Sequence, residues 1–127
     1  MNDKAKQLEN LEFLVVDDSS LHVMMLKSIL LNLGAAKVVS ASSGEEGLAE
    51  LTRSKFDVTL VDLHMINMNG IEFGRRVRKN PDWRKMRLIL VTADGEAAEK
   101  ESAMDLFDAS VSKALITEDL VSAILGK

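Results

Sequence analysis

The sequence contains no cysteine and no tyrosine, and only one of its 127 residues is proline. Without cysteine the chain has neither a disulfide framework nor a thiolate metal site, and we expect a reducing compartment such as the cytoplasm. The aromatic residues are four phenylalanines and Trp83. These are too few to build the stacking platforms of proteins that bind single-stranded nucleic acid.

Long apolar runs and an excess of positive charge are also missing. No apolar stretch approaches the roughly 18 residues of a membrane span, and no basic segment followed by an apolar one indicates a secretory signal. The chain has 16 basic and 20 acidic residues, for a net charge of −4. That balance gives no electrostatic footprint for nucleic acid. We therefore expect a cytoplasmic domain that binds neither membranes nor nucleic acids.

The remaining pattern is an alternation of strand-length apolar runs with helix-periodic segments. The first ten residues are polar and read as a lead-in to one domain that covers residues 11–127. The predicted strands span residues 13–16, 37–41, 56–62, 87–92 and 109–113. The first predicted helix follows residues 17–20, where a serine or an aspartate can serve as N-cap. The others begin after Ser43, Gly70 and Thr117, with a weak, highly charged helix at residues 95–104. The pattern is (βα)₅.

Strict alternation of strands and helices predicts a parallel sheet with helices on both faces. The first, third and fourth strands are almost wholly apolar, whereas the second and fifth are shorter and more polar. Because edge strands are less buried, the second and fifth strands should form the edges. This favours the order 2-1-3-4-5 and a flavodoxin-like, three-layer α/β sandwich with a five-stranded parallel sheet.

Polar residues stand where four of these strands end. Asp17 and Asp18 follow the first strand, and the other three are Asp62, Thr92 and Lys113. In an open α/β sheet these ends meet at the edge that binds ligands. Three carboxylates around one ammonium favour a divalent cation, and oxygen ligands select Mg²⁺ or Ca²⁺. A carboxylate in this place could accept a phosphoryl group or merely bind one, and Asp62, which ends the central strand, is the best candidate for the nucleophile.

Other chemistries lack their motifs. No glycine-rich nucleotide loop follows the first strand, no GxSxG is present, and the two histidines do not have HExxH spacing. Residue 64 is histidine, where the haloacid-dehalogenase phosphatases have a second acid. His22 is predicted to lie on a helix surface.

Four segments together carry a family resemblance. LVVDDSS, LVDLHMINMNG, LVTAD and VSKAL occur in this order and resemble the receiver domain of bacterial response regulators. The resemblance covers residues 11–126. It implies that Asp62 accepts a phosphoryl group from a sensor histidine kinase or a histidine phosphotransfer protein. The protein would then signal through a downstream protein target without being a turnover enzyme.

The resemblance also implies a role for each residue of the pocket. Asp18, Asp62 and the backbone carbonyl of His64 would hold Mg²⁺, with Asp17 helping through water. Lys113 would contact the phosphoryl group, and Thr92 would move to hydrogen-bond it. Since residues 11–126 take up the sequence, we expect a stand-alone receiver without an attached DNA-binding module.

Three residues depart from the family pattern. Ile66 and Ala114 stand where the family usually has proline, and Ser110 replaces an aromatic switch residue. A cis bond before a residue other than proline costs about 2.5–4 kcal/mol, so we expect a trans bond between Lys113 and Ala114. Ser110 and Ala114 suggest one alternative, a phosphate-independent scaffold, and a small metal-dependent phosphohydrolase stays open as a third possibility.

The first helix is predicted to have two apolar surfaces. Its core stripe would consist of Met25, Leu26, Ile29, Leu30 and Leu33. Met24 and Leu31 fall on another part of the helix, where they could dock a protein phosphodonor. The alternative is that Leu8 or Leu11 of the N-terminal segment covers this second surface.

Overall fold

Five parallel strands form one sheet in the order β2-β1-β3-β4-β5, as the strand compositions predict. The computed structural model describes residues 7–93, 105–113 and 116–126, without the side chains of residues 116–118. The strands are β1 (Glu12–Val16), β2 (Lys37–Ala41), β3 (Val58–Asp62), β4 (Arg87–Thr92) and β5 (Ala109–Ser112). All five residues of β3 are buried, whereas β2 and β5 each retain exposed positions.

Four α-helices flank the sheet within the described ranges, and one short 3-10 helix precedes β4. The helices are α1 (Ser20–Asn32), α2 (Gly44–Arg53), α3 (Gly70–Lys79) and α4 (Ile116–Leu125), and the 3-10 helix is Pro81–Trp83. The helix predicted at residues 95–104 lies outside the described residues. None of the described helices is long and apolar enough to cross a bilayer.

The helices α1, α2 and α3 each begin at a residue whose side chain caps the helix N-terminus. Ser19 Oγ accepts a hydrogen bond from the His22 backbone N–H at 3.2 Å, and Ser43 and Asn69 cap α2 and α3 in the same way. These bonds satisfy donors that the first turn of a helix otherwise leaves unpaired. Gly34 ends α1 as predicted, with a φ of 100° that suits glycine.

Two apolar cores, one on each face of the sheet, complete the three-layer arrangement. One face packs Phe73 and Val77 of α3 against β1, β3 and β4. The other packs Leu26 and Leu30 of α1, with Leu120 of α4, against the same strands. The sheet is thus buried on both sides, which explains why its central strands are apolar throughout.

The rotation of α1 differs in part from the prediction. Leu26, Leu30 and Leu33 are buried as expected, but Met25 is 48% exposed, so its place in the core was wrong. The helix turns about 100° per residue, and Met25 lies about 100° from Leu26, beyond the edge of the buried face. His22, four residues before Leu26, lies on the buried face instead.

The outer face of α1 carries four exposed apolar side chains beside the exposed Lys27 and Ser28. Leu21 and Met24 are each 67% exposed, and Leu31 is 48% exposed. Leu8 does not cover this face, because it is fully buried in the core, where its N–H donates to Leu33 O at 2.9 Å. We call Leu21, Met24, Met25 and Leu31 the outer α1 surface.

Leu8 should therefore contribute to folding stability although it lies in the predicted lead-in. Leu8→Ala is expected to lower the free energy of unfolding by about 2–5 kcal/mol, because it leaves a cavity among buried side chains. Urea denaturation measures this loss, with the exposed neighbour Glu9→Ala as the matched control. A loss below about 0.5 kcal/mol, as at ordinary surface sites, would show that Leu8 does not pack in the core in solution.

Candidate functional site

The strand register brings three acidic side chains to the carboxyl edge of the sheet. Val16 of β1 pairs with Val61 of β3, so the residues that follow them, Asp17 and Asp62, stand side by side. Carboxylate oxygens of Asp17, Asp18 and Asp62 lie within 4.8 Å of one another. Asp17 and Asp62 are 2% and 5% exposed, whereas Asp18 faces solvent. The predicted acidic cluster is present.

Lys113 reaches this cluster from the end of β5. Its Nζ lies 3.3 Å from Asp62 Oδ1 and 3.7 Å from Asp17 Oδ2. The ammonium therefore bridges the two buried carboxylates and offsets part of their repulsion. Three carboxylates and one ammonium still leave an excess of negative charge, which a divalent cation would neutralise.

Asp17 is held at both of its oxygens. Oδ1 accepts a hydrogen bond from the Ser19 backbone N–H at 2.9 Å, and Oδ2 forms a hydrogen bond with His22 Nδ1. His22 is 8% exposed, so the prediction that it lies on a helix surface was wrong. The sequence offered no decisive signal, because an N-cap was possible at any residue from Asp17 to Ser20, and it is the cap at Ser19 that places residue 22 in the first turn.

The two buried carboxyl groups have opposite pKa shifts. Burial alone would raise the pKa of Asp17, but hydrogen bonds from His22 and Ser19 and the charge of Lys113 lower it below the usual value. Burial, followed by the negative charge of Asp17, raises the pKa of Asp62, and Lys113 offsets only part of the rise. Of these two carboxyl groups, Asp62 is thus the costlier to ionise.

Thr92 and His64 border the cluster in different ways. Thr92 is the last residue of β4, 1% exposed, and pairs in register with Ser112 of β5. Asp62 pairs with Val91, so Thr92 lies one residue beyond the level of Asp62. His64 is exposed in the loop after β3. Its backbone carbonyl as an ion ligand stays a prediction.

The loop between β3 and α3 folds closely against the strand end. The Gly70 N–H donates to Leu63 O at 2.9 Å, and a methyl group on Gly70 would lie 2.5 Å from the Asp62 carbonyl oxygen. Asn67 has a φ of 71° between Ile66 and Met68, whose N–H donates to Ile66 O at 2.8 Å. Asparagine tolerates this conformation, so the loop turns at Asn67 without the proline that the family usually has at position 66.

The second departure, Ser110, lies on an edge strand of the sheet. Ser110 is exposed on the edge strand β5, opposite Leu90 of β4, and therefore places a small hydroxyl where an aromatic ring was expected from the family. Ala114 lies outside the described residues, so the trans bond after Lys113 stays a prediction.

The donor set fits Mg²⁺. Its ligand atoms are carboxylate oxygens from three aspartates in one cluster, and Mg²⁺ prefers oxygen ligands and is commonly held by one or two carboxylates. The pKa of Asp17 is lowered, so this carboxylate stays ionised. The pKa of Asp62 is raised, so a nearby cation would favour its ionised form.

Removing the charge of Asp62 should stabilise the metal-free protein. A raised pKa means that folding favours the protonated form, so the cost of ionised Asp62 appears as the pH rises through the folded-state pKa. We expect Asp62→Asn to raise the Tm at pH 7 by about 3–6 °C for each 1 kcal/mol relieved. The gain should vanish below the ordinary aspartate pKa.

Thermal unfolding in EDTA across pH 3–8 measures this dependence. The control is Asp82→Asn, at an exposed carboxylate outside the cluster, and it should change the Tm little at any pH. A gain for Asp62→Asn that is as large at pH 3 as at pH 7 would contradict a charge effect.

Comparisons with known proteins identify the family. Residues 13–125 match the family model of the response regulator receiver domain. The chain is 34% identical over 98 residues to the probable chemotaxis protein CheY of Rhizobium etli, covering 77% of this chain and 76% of that protein. It is 36% identical over 95 residues to the CheY homolog of Campylobacter jejuni, covering 74% and 73%.

The fold agrees with solved receiver structures. The response regulator TrrA of Thermotoga maritima, solved in complex with Mg²⁺–BeF, has a TM-score of 0.83 at 26% identity, with 91% of this chain and 97% of that chain covered. Sequence and fold together show that the chain belongs to the response regulator receiver domain family of two-component signal transduction.

Proposed function

We propose that the chain accepts a phosphoryl group on Asp62 and signals through protein–protein contacts. The main observation in support of this proposal is the surroundings of Asp62. A buried carboxylate at the end of the central strand lies 3.3 Å from an ammonium group and beside two further carboxylates. This is the arrangement that a negatively charged phosphoryl group and a cation need together.

Asp18, Asp62 and the backbone carbonyl of His64 would hold Mg²⁺, with Asp17 contributing through water. When bound, the ion neutralises charge on the carboxylates and on the phosphoryl oxygens. Asp18 is the exposed member of the cluster, so the ion would enter and leave from the solvent side. The buried Asp17 would contribute its negative charge without contacting the ion directly.

In the transfer step an ionised carboxylate oxygen of Asp62 attacks phosphorus. A phosphohistidine is the phosphodonor that the family implies. As the new O–P bond forms, the P–N bond breaks and its electron pair returns to the donor imidazole. Lys113 Nζ, already beside Asp62 Oδ1, donates hydrogen bonds to the phosphoryl oxygens. The product is an acyl phosphate on the protein itself, so the chain acts as a phosphoacceptor rather than a turnover enzyme.

Thr92 supplies the link from the phosphoryl group to the surface. It is buried at the end of β4, one residue beyond the level of Asp62. We propose that its hydroxyl turns to hydrogen-bond the phosphoryl group and shifts the chain that follows. Ser110 on β5 offers little bulk to couple to that movement, so output would rely on other contacts.

The partner is a histidine kinase or histidine phosphotransfer protein in the cytoplasm. The outer α1 surface starts immediately after Asp17 and Asp18, and its side chains are between 48% and 67% exposed. An apolar surface beside an acidic pocket suits a helical partner that presents its phosphohistidine to Asp62. Methionine side chains adapt well to such contacts.

A phosphate-independent scaffold is the second candidate, and Ser110 is the observation that favours it. The complete set of Asp17, Asp18, Asp62 and Lys113 argues against it, because a scaffold gains nothing from burying repelling carboxylates. No comparable observation supports a phosphohydrolase.

Phosphorylation tests the proposal directly. Incubation with acetyl phosphate and Mg²⁺ should add one phosphoryl mass to the intact protein, and hydroxylamine should remove it. Asp62→Asn should accept at least about a hundredfold less, because the amide is not a nucleophile at neutral pH, while circular dichroism confirms its fold. An adduct on Asp62→Asn as abundant as on wild type would overturn the assignment.

Docking on the outer α1 surface gives a separate prediction. Met24→Glu combined with Leu31→Glu should slow transfer from the protein phosphodonor roughly tenfold, the effect of losing about 1.4 kcal/mol. Phosphorylation by acetyl phosphate should be unchanged, since both residues lie outside the pocket. Leu125→Glu is the matched control, at a partly exposed apolar position on α4. Equal slowing by both sets of variants would exclude a specific role for α1.

A further inference from the structure

His22 is a buried polar side chain that the proposed phosphoryl transfer does not use. Its side chain is 10% exposed. Nδ1 forms a hydrogen bond with Asp17 Oδ2, and Nε2 is buried with no hydrogen-bond partner among the described residues. A buried polar ring with one partner has a cost, so the single contact that His22 does make points to its role.

The hydrogen-bonding capacity of the two groups shows which one carries the proton in the contact between His22 and Asp17. An ionised carboxylate can only accept hydrogen bonds, so His22 Nδ1 must carry the hydrogen and donate it to Asp17. The Ser19 N–H already occupies Asp17 Oδ1. Asp17 Oδ2 is shared between His22 and the more distant Lys113 Nζ at 3.7 Å. Both oxygens of Asp17 therefore have donors before any cation arrives.

We propose that His22 is a positioning residue that engages Asp17 Oδ2, reserves direct cation contact for Asp18 and Asp62, and weakens the affinity of the pocket for Mg²⁺. This inference rests on the proposed Mg²⁺ site and adds a determinant of its affinity. It concerns a hydrogen bond and not a change of charge on His22.

The effect on affinity follows from the metal-free state. A carboxylate that is 2% exposed has lost its water, and a donor such as His22 compensates for that loss. If the donor is removed, Asp17 repels Asp62 with less compensation, and a cation relieves more strain when it binds. The freed Oδ2 can then also turn towards the ion.

Calorimetric titration with Mg²⁺ alone tests this inference. His22→Leu keeps the side-chain volume and loses the donor, so it should bind Mg²⁺ about three- to tenfold more tightly than wild type. His22→Asn can replace the lost donor, because its amide N–H can reach the position of Nδ1, and it should bind Mg²⁺ nearly as wild type does. Rescue by asparagine distinguishes the hydrogen bond from a packing effect.

A second background separates an effect through Asp17 from a general structural effect. In Asp17→Asn, adding His22→Leu should leave the Mg²⁺ affinity unchanged within about twofold, because the carboxylate that His22 holds is gone. A long-range ¹H–¹⁵N spectrum of metal-free wild type should show a proton on Nδ1 of His22. This measurement needs no variant and holds even if His22→Leu does not fold.

Equal or weaker Mg²⁺ binding by folded His22→Leu would overturn the inference, as would an unprotonated Nδ1 in wild type. An effect of His22→Leu that persists in Asp17→Asn would also overturn it. Failure of wild type to bind Mg²⁺ at all would overturn the proposed function first. The two failures are therefore distinguishable.

Discussion

The structure depends on the burial of two carboxylates side by side at one edge of a parallel sheet. Asp17 and Asp62 follow paired residues of β1 and β3, so the register itself forces their charges together. Like charges in a poorly solvated place are costly, and the chain meets that cost with Lys113 on one side and His22 on the other. This compensation is uneven, because the pKa of Asp17 is lowered whereas the pKa of Asp62 is raised.

That uneven compensation relates structure to function. Asp17 has hydrogen-bond donors on both oxygens and a lowered pKa, whereas Asp62 has a raised pKa and, among the described residues, an ion pair with Lys113. A cation would therefore relieve the cost of ionised Asp62 more than that of Asp17. Binding of Mg²⁺ and transfer of a phosphoryl group would each change the charge balance around Asp62. Under the proposed function this change would reach Thr92, which lies at the end of the neighbouring strand.

Features repeated along the chain could be predicted from the sequence, and features set by three-dimensional packing could not. Apolar runs identified all five strands, and the geometry of a parallel sheet brought Asp62 to its neighbours. The buried position of His22 depends on where the Ser19 cap starts α1, and the same rotation leaves Met25 exposed. Leu8 stands in a polar segment, and its burial depends on packing in the core cluster that includes Leu33, whose carbonyl accepts its N–H.

The most direct test is a crystal structure grown with Mg²⁺ and beryllofluoride, an analogue of a bound phosphoryl group. Beryllofluoride should be joined to a carboxylate oxygen of Asp62 and lie within hydrogen-bond distance of Lys113 Nζ, with the ion on Asp18 and Asp62. Asp17 should keep its hydrogen bond to His22. A structure at the same ligand concentrations in which Asp62 carries no adduct, or in which the ion lies outside the acidic cluster, would contradict phosphoryl transfer to Asp62 at this site.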